Sequence, residues 1–403
     1  MRPLLSIEQY RQSILERIPE PRPVTVPLDT AYGCVLAGRL ASPHDLPAFP
    51  SSAMDGYAVR SADIAAAAEG VPVSLQIEGE VRMGSAPHAE VLEGRAVAVP
   101  TGGMLPEGAD TVVPVEECRV EGGAVWFCVP SRPGRNVRPA GEDLLAGELV
   151  VEAGRRVEAA DLGALAAAGF AEVAVYRTPR VVVFSTGNEL VEGGGDTGPG
   201  QIHESNSFML RALVRRAGCE ATYAGRVPDD PGALLRALEA APPGDVLLCS
   251  GGVSAGRDDP VRRAFEGREE VGCVQVSVQP GRPQAFGVFR DKPFFGLPGN
   301  PMASLVSFEL FVRPALKKMM GLPPTVDYLN ATLDGALEAA PASVRFVPVR
   351  LTESGPQLIA CSREQRRSNQ LAKLAQSDGM AEVPPGAGLN AGEPVRVLSI
   401  REW

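Results

Sequence analysis

The segment SGGVSAGRDDP, residues 250 to 260, places three glycines, two hydroxyls and two carboxylates in one short turn. It follows the apolar run DVLLCS, which reads as a buried strand, and it leads into a helix with Asp259 as N-cap and Pro260 at the first position. Gly251, Gly252 and Gly256 let backbone N–H groups converge on an oxyanion without interference from a Cβ, the following helix dipole adds positive potential, and Ser254 offers a hydroxyl donor. A plain tight turn is the competing reading. The turn has neither the GK[ST] ending of a nucleotide P-loop nor the GxGxxG of a dinucleotide fold, so neither assignment is available. Asp258 and Asp259 beside a bound phosphate would suit a divalent cation, while Asp259 acting only as a cap is an equal alternative.

A second junction, FFGLPGNPMAS, repeats this geometry, with Pro298 and Gly299 ahead of Asn300 as N-cap and Pro301 at the first helical position. Strand ends on one edge of a parallel sheet gather ligands, so two glycine-containing turns in one domain are expected to share a cleft, ordinary turn chemistry being the alternative. A third strand end, VVVFSTGNELVE, carries Thr186, Asn188 and Glu189, and HESNSF supplies Asn206 at the next helix start. In RVPDDPGALL, Asp229 and Asp230 precede Pro231, and Asp230 reads at least as well as a helix cap. The N-terminal half holds Asp55 in FPSSAMDGYAVR, a DG pair that would pass as a hairpin turn, with Thr101 and Asp143 beside glycines in segments that would pass as loops.

These residues need a scaffold, and the hydrophobic pattern predicts one. Ser6 and Gln9 form a capping box ahead of Ile7, Tyr10, Ile14 and Ile18 at helical spacing, ended by Pro19. Residues 47–140 alternate short valine-rich runs with Gly, Pro and Glu turns, a β-rich module; a helix is expected over Asp161 to Gly169. From Arg180 to Gly321 strands and helices alternate, predicting a parallel α/β sheet that closes on a long helix kinked or broken at Pro314. Beyond Pro324 short β-like runs dominate, with helical spacing only near Arg363 to Leu374.

Composition narrows the function. The 403 residues suggest several domains at roughly 100 to 200 residues each, and 44% hydrophobic with 22% charged residues is ordinary globular content. A net charge of -10 argues against nucleic-acid binding, which rests on clustered positive charge. The apolar runs are strand-length and the N-terminus reads as a charged helix, so neither a membrane span nor a signal peptide is expected, and the cytoplasm is the expected location. Seven scattered cysteines without CxxC and only three histidines leave little for a zinc site; a metal would be held by oxygen.

Taken together, SAMDGYA, TGGMLPEGADTVV, GED, STGNEL, SNS, DDP, SGGVSAGRDD, PGRP and GLPGNP stand in the order and spacing of the molybdopterin molybdenumtransferase family, which includes the gephyrin E domain. The chain resembles that family from Ile7 to about Trp403. The resemblance implies a multidomain α/β protein: an elongated domain from residues 1–46 and 141–177, a β-rich module over 47–140, a molybdopterin-binding α/β domain over 178–324 and a C-terminal β barrel over 325–403. It implies a homodimer whose composite cleft takes Asp55 and Thr101 in trans. The implied reaction consumes adenylylated molybdopterin and molybdate with Mg²⁺ and releases AMP, downstream of a molybdopterin adenylyltransferase as pathway partner.

Carried over by position, the acidic and hydroxyl groups of the catalytic cleft would be Asp55, Thr101, Asp143, Glu189, Asp229 or Asp230, and Asp259, with Glu189 and Asp259 the magnesium candidates. Gly251, Gly252 and Ser254 would form the phosphate-facing loop, joined as cofactor-binding residues by Thr186, Asn206, Gly281, Arg282 and the second turn from Pro298 through Gly299 and Asn300 to Pro301. Where many relatives read Lys-Pro-Gly-Lys-Pro, this chain reads Gln279, Pro280, Gly281, Arg282, Pro283. Arg282 keeps a charge able to grip an oxyanion bidentately, so oxyanion affinity is expected to be altered rather than abolished. The rival readings are the adenylyltransferase itself, a shorter single-domain relative, and a non-catalytic scaffold of the gephyrin kind.

Overall fold

Strand Arg180–Thr186 is buried at every position after the first, and the side chains of its apolar stretch Val181 to Phe184 divide between two cores. Val181 and Val183 join one cluster with Tyr10, Ile14, Leu210 and Phe311; Val182 and Phe184 join another with Leu234, Leu238, Phe265 and Phe294. A strand covered by helices on both faces has no reason to alternate polar and apolar, because the pleat sends successive side chains to opposite cores. Each fully buried side chain of this size contributes about 1.5–3 kcal/mol.

The computed structural model describes residues 4–253, 259–362 and 371–401. The chain divides into two units, one of residues 1–25, 33–37 and 174–403, the other of residues 26–32 and 38–173.

In the first unit a seven-stranded sheet runs in the order Leu4–Leu5, Val271–Val276, Pro283–Phe289, Lys292–Leu297, Val246–Ser250, Arg180–Thr186, Glu220–Val227. The four strands from Lys292–Leu297 to Glu220–Val227 are mutually parallel, but Pro283–Phe289 pairs antiparallel with strands on both sides, so the sheet is mixed where a parallel one was expected. The cause is local. Arg290 and Asp291, with φ of 48° and 63°, make a two-residue turn whose twist closes a hairpin and leaves no room for a crossover helix.

The opening helix Ile7–Leu15 carries the expected capping box and sets Tyr10 edge-on against Phe311, ring centroids 4.8 Å apart. Pro314 does not break the helix that begins at Pro301. Helix Pro301–Ser307 continues through a π-helical turn, Phe308–Val312, into Arg313–Met319. The wider turn just before the proline changes the hydrogen-bond register where its missing N–H would otherwise leave a gap. Within that segment Glu309, 2% exposed, is held by Arg313 and Arg216. Five strands, Tyr328–Leu333, Val344–Ser354, Gln357–Ser362, Gly379–Val383 and Pro394–Ser399, then close a barrel, the second pairing with both the third and the fourth. Part of the helical segment expected near Arg363 to Leu374 lies outside the described residues; helix Leu371–Ala375 is its described part.

The second unit holds a six-stranded sheet in the order Cys118–Glu121, Ala124–Phe127, Val73–Glu80, Arg95–Val99, Gly56–Val59, Thr111–Pro114. Asp55-Gly56 is not a hairpin turn: Ser51–Ser52 pairs with Val137–Arg138, while Gly56–Val59 lies between two other strands. A Cβ at Gly56 would sit 2.3 Å from the Val113 carbonyl oxygen, so close strand approach requires the glycine. Helix Ala159–Ala167 overlaps the span read from Asp161 to Gly169 but begins and ends two residues earlier. No described helix is long and apolar enough to cross a membrane.

Candidate functional site

Three parallel strands of the first unit end side by side. Ser185 stands in register with Ser250, and Ser250 with Leu297. Beyond these ends lies a cavity of about 470 Å³, lined from the first strand by Ser185, Thr186, Gly187 and Glu189, from the second by Ser250, Gly251 and Gly252, and from the third by Gly299 and Pro301. Asp229, Asp259 and the segment from Ile202 to Asn206 complete the wall.

The glycine turn is built against Thr186. Gly251 and Gly252 have φ of 94° and 71°, and a Cβ on either would lie within 3 Å of the Thr186 hydroxyl oxygen, at 2.7 and 2.9 Å. Both conformation and space therefore demand glycine. The Thr186 hydroxyl donates to the Ser250 carbonyl at 3.4 Å. Ser254, with Asp258 and Gly256, lies outside the described residues.

Helix caps account for several of the polar residues. Asp259 accepts from the Arg262 N–H at 3.4 Å, Asn300 from Met302 N–H at 3.0 Å, and Asp230 from Ala233 N–H at 2.6 Å. Asp259 nonetheless lines the cavity, 7% exposed, whereas Asp230 does not line it. Asp229 does: its carboxylate accepts from the Asn188 backbone N–H at 3.0 Å and its own N–H donates to the Asn188 side chain at 3.2 Å. That reciprocal pair locks the turn after one strand to the turn after its neighbour. The Pro298 carbonyl accepts from the Ser304 hydroxyl at 2.8 Å.

Asn206 opens helix Asn206–Arg216, and its amide donates to Ser250 Oγ and to the Gly299 carbonyl, both at 2.7 Å. Behind it stands Glu204, which the motif reading passed over. This carboxylate is 6% exposed and accepts from Ser185 Oγ at 2.9 Å, Ser207 N–H at 2.7 Å and Ser207 Oγ at 2.6 Å. No local signature marks it, since Glu is not a preferred cap and the residue at the N-cap of this helix is Ser205. Tyr223 packs beside this group, its phenol pushed up by burial and by the Glu204 charge. Cys249, on the strand leading to the glycine turn, is wholly buried, and burial with the nearby Asp259 charge pushes its thiol up to about 12.

Gly281 and Arg282 stand at the same sheet edge, since Pro283 begins a strand antiparallel to Lys292–Leu297, but they do not line the cavity. Arg282 reaches Ser343 Oγ at 3.5 Å, and Gln279 pairs with Arg345 of the barrel. A Cβ on Gly281 would meet Ser307 Oγ at 3.1 Å, so this turn packs on the helix that follows the second glycine junction.

In the second unit, Asp55 accepts from the Thr101 N–H at 2.6 Å and from its hydroxyl at 2.9 Å. The Thr101 backbone bond, then its hydroxyl, hold the Asp55 carboxyl below the usual aspartate range. Asp143 is exposed on a loop, its N–H donating to the Leu46 carbonyl at 2.9 Å.

Three family models match the chain in order: "MoeA N-terminal region (domain I and II)" over residues 5–169, "Probable molybdopterin binding domain" over 182–318 and "MoeA C-terminal region (domain IV)" over 330–400. Molybdopterin molybdenumtransferase 2 of Mycobacterium tuberculosis is 38% identical over 393 residues, 94% of this chain and 95% of its own. The molybdopterin molybdenumtransferase of Haemophilus influenzae is 36% identical over 79% of this chain and 78% of its own. A crystal structure of a molybdopterin biosynthesis MoeA protein from Pyrococcus horikoshii covers 100% of both chains with a TM-score of 0.85 and 31% identity. With relatives aligned over nearly its whole length and all three regions matched in order, the chain belongs to the molybdopterin molybdenumtransferase family.

Proposed function

We propose that this protein inserts molybdate into adenylylated molybdopterin, cleaving the pyrophosphate link and releasing AMP. The observation that carries the reading is the cavity itself, where a glycine turn braced on Thr186 meets the carboxylates of Glu189, Asp229 and Asp259. Backbone N–H groups of the turn suit phosphate oxygens, whose charge grows as the link breaks, and donors fixed in advance stabilise that charge without reorganising. Molybdate carries its own attacking oxygen, so no protein nucleophile is needed.

Magnesium fits the donor set, because carboxylates are the hard ligands it prefers. Among the described residues no three His, Cys, Asp or Glu side chains gather as a ready-made metal site. Magnesium commonly takes one or two carboxylates and completes its shell with phosphate oxygens and water, so Asp259 and Glu189 would hold it only together with the substrate. Bound there, it would neutralise charge on the pyrophosphate.

We assign the Asp55–Thr101 pair, and separately the exposed Asp143, to a cleft shared between two copies of the chain. The adenylylated substrate would come from a molybdopterin adenylyltransferase in the cytoplasm. The test is to incubate the purified protein with adenylylated molybdopterin, Mg²⁺ and molybdate, following AMP and pterin-bound metal together. Molybdate-dependent AMP release with metal transfer is expected; AMP left attached to a bound pterin would overturn the reading.

A further inference from the structure

Three segments that line the cavity come from distant parts of the sequence, and a single side chain joins them. The Asn206 amide spends its hydrogens on Ser250 Oγ, 44 residues away, and on the Gly299 carbonyl, 93 residues away. The acceptor Gly299 carbonyl fixes the orientation of the amide, because the opposite flip would set two oxygens against each other. Asn206 Oδ1 is buried and without a partner among the described residues. Asn206 is itself held from behind. Glu204, two residues earlier, ties the end of strand Arg180–Thr186, through Ser185 Oγ, to the first turn of the helix, through the Ser207 N–H and hydroxyl.

We propose that Asn206 and Glu204 are positioning residues: Glu204 anchors the helix start to one strand end, and Asn206 clamps the two glycine junctions of the neighbouring strand ends at the spacing the ligand requires. Asn206 was expected among the cofactor-binding residues; with both amide hydrogens engaged inside the protein, only its Oδ1 is left to meet a ligand. Glu204 is buried with three donors around it, so its loss would leave the Ser185 and Ser207 groups unpaired. The clamp is a matter of the free protein; its effect on turnover rests on the molybdate-insertion reading.

The deciding variant is Asn206→Asp, which keeps shape and an acceptor oxygen but has no hydrogens to give Ser250 and Gly299. Hydrogen exchange on the free protein is expected to quicken about tenfold, ~1.4 kcal/mol, in peptides spanning both Ser250–Val253 and Pro298–Met302, with barrel strand Tyr328–Leu333 unchanged. Exchange at wild-type rate in both turns would overturn the clamp. Glu204→Gln keeps an oxygen for Ser185 and the Ser207 N–H, so it should restore most of the protection lost in Glu204→Ala; equal losses in the two would refute the anchor. In turnover, Asn206→Asp should raise KM for adenylylated molybdopterin about tenfold with kcat nearly unchanged. A fall in kcat at constant KM would place Asn206 on the reacting atoms and reject positioning. Wild-type protein without turnover would defeat the insertion reading alone, since the exchange result still decides the clamp.

Discussion

The Asp55 carboxylate takes both hydrogen-bond donors of one residue, the N–H and the hydroxyl of Thr101, at 2.6 and 2.9 Å. The two lie 46 residues apart in chain segments that neither pattern nor spacing would pair. An exposed carboxylate fixed by two donors is presented in one orientation and stays ionised to lower pH.

Thr101→Val removes the hydroxyl and keeps the N–H. The Asp55 titration point should move up toward the ordinary aspartate value of about 3.9 without reaching it, because the larger backbone contribution remains. A depressed carboxylate stabilises the fold above its unfolded pKa, and that contribution fades as pH falls from about 4 through the lower folded value. Carbon NMR titration of the Asp55 carboxyl reads the shift; an unchanged midpoint would refute the hydroxyl's share.

Gly251→Ala is expected to cost on the order of 2–4 kcal/mol, combining a disfavoured backbone with overpacking, since φ is 94° and the new methyl would lie 2.6 Å from the Thr186 carbonyl oxygen. Gly267→Ala is the control. It has φ of 77° but open space around it, so only the backbone penalty, ~1–2 kcal/mol, applies. Chemical denaturation of both variants separates the terms, and equal costs would show that contact with Thr186 is immaterial.

Cys249 should resist thiol reagents in the native protein while the exposed Cys128 reacts readily. Burial keeps the Cys249 thiol neutral until about pH 12, whereas an unfolded thiol ionises near 8.5. The unfolded state therefore binds fewer protons above that value, and this group's contribution to stability declines as pH rises past about 8.5. Counting labelled cysteines by mass spectrometry before and after denaturation checks it; native labelling of Cys249 would contradict the wholly buried site.

Asp229 and Asp230 part company in the structure, and their variants should as well. Asp230→Asn retains a capping side chain and should leave insertion activity near wild type. Asp229→Asn, on the cavity wall, and Asp259→Asn, which still caps but binds Mg²⁺ poorly, should each lower molybdate-dependent AMP release at least about tenfold, with stability changed by less than about 1 kcal/mol. Full activity in Asp259→Asn would remove it from the chemistry, and equal loss in Asp230→Asn would erase the distinction.

The chain by itself determined whatever is settled within a few residues. The Ser6–Gln9 box and the caps at Asp230, Asp259 and Asn300 were legible because their partners are local. The resemblance named the family for the same reason, since its signatures are short contiguous segments. Tertiary structure alone decided which of those segments meet. Only packing places Ser185, Ser250 and Leu297 in register, brings Asn188 to Asp229, and lets Asn206 join two turns while Glu204 braces it from a buried position. It likewise carried the helix past Pro314 through a π turn. Strand order and register follow from how two cores fill on opposite faces of one sheet, a condition imposed on side chains far apart in the sequence.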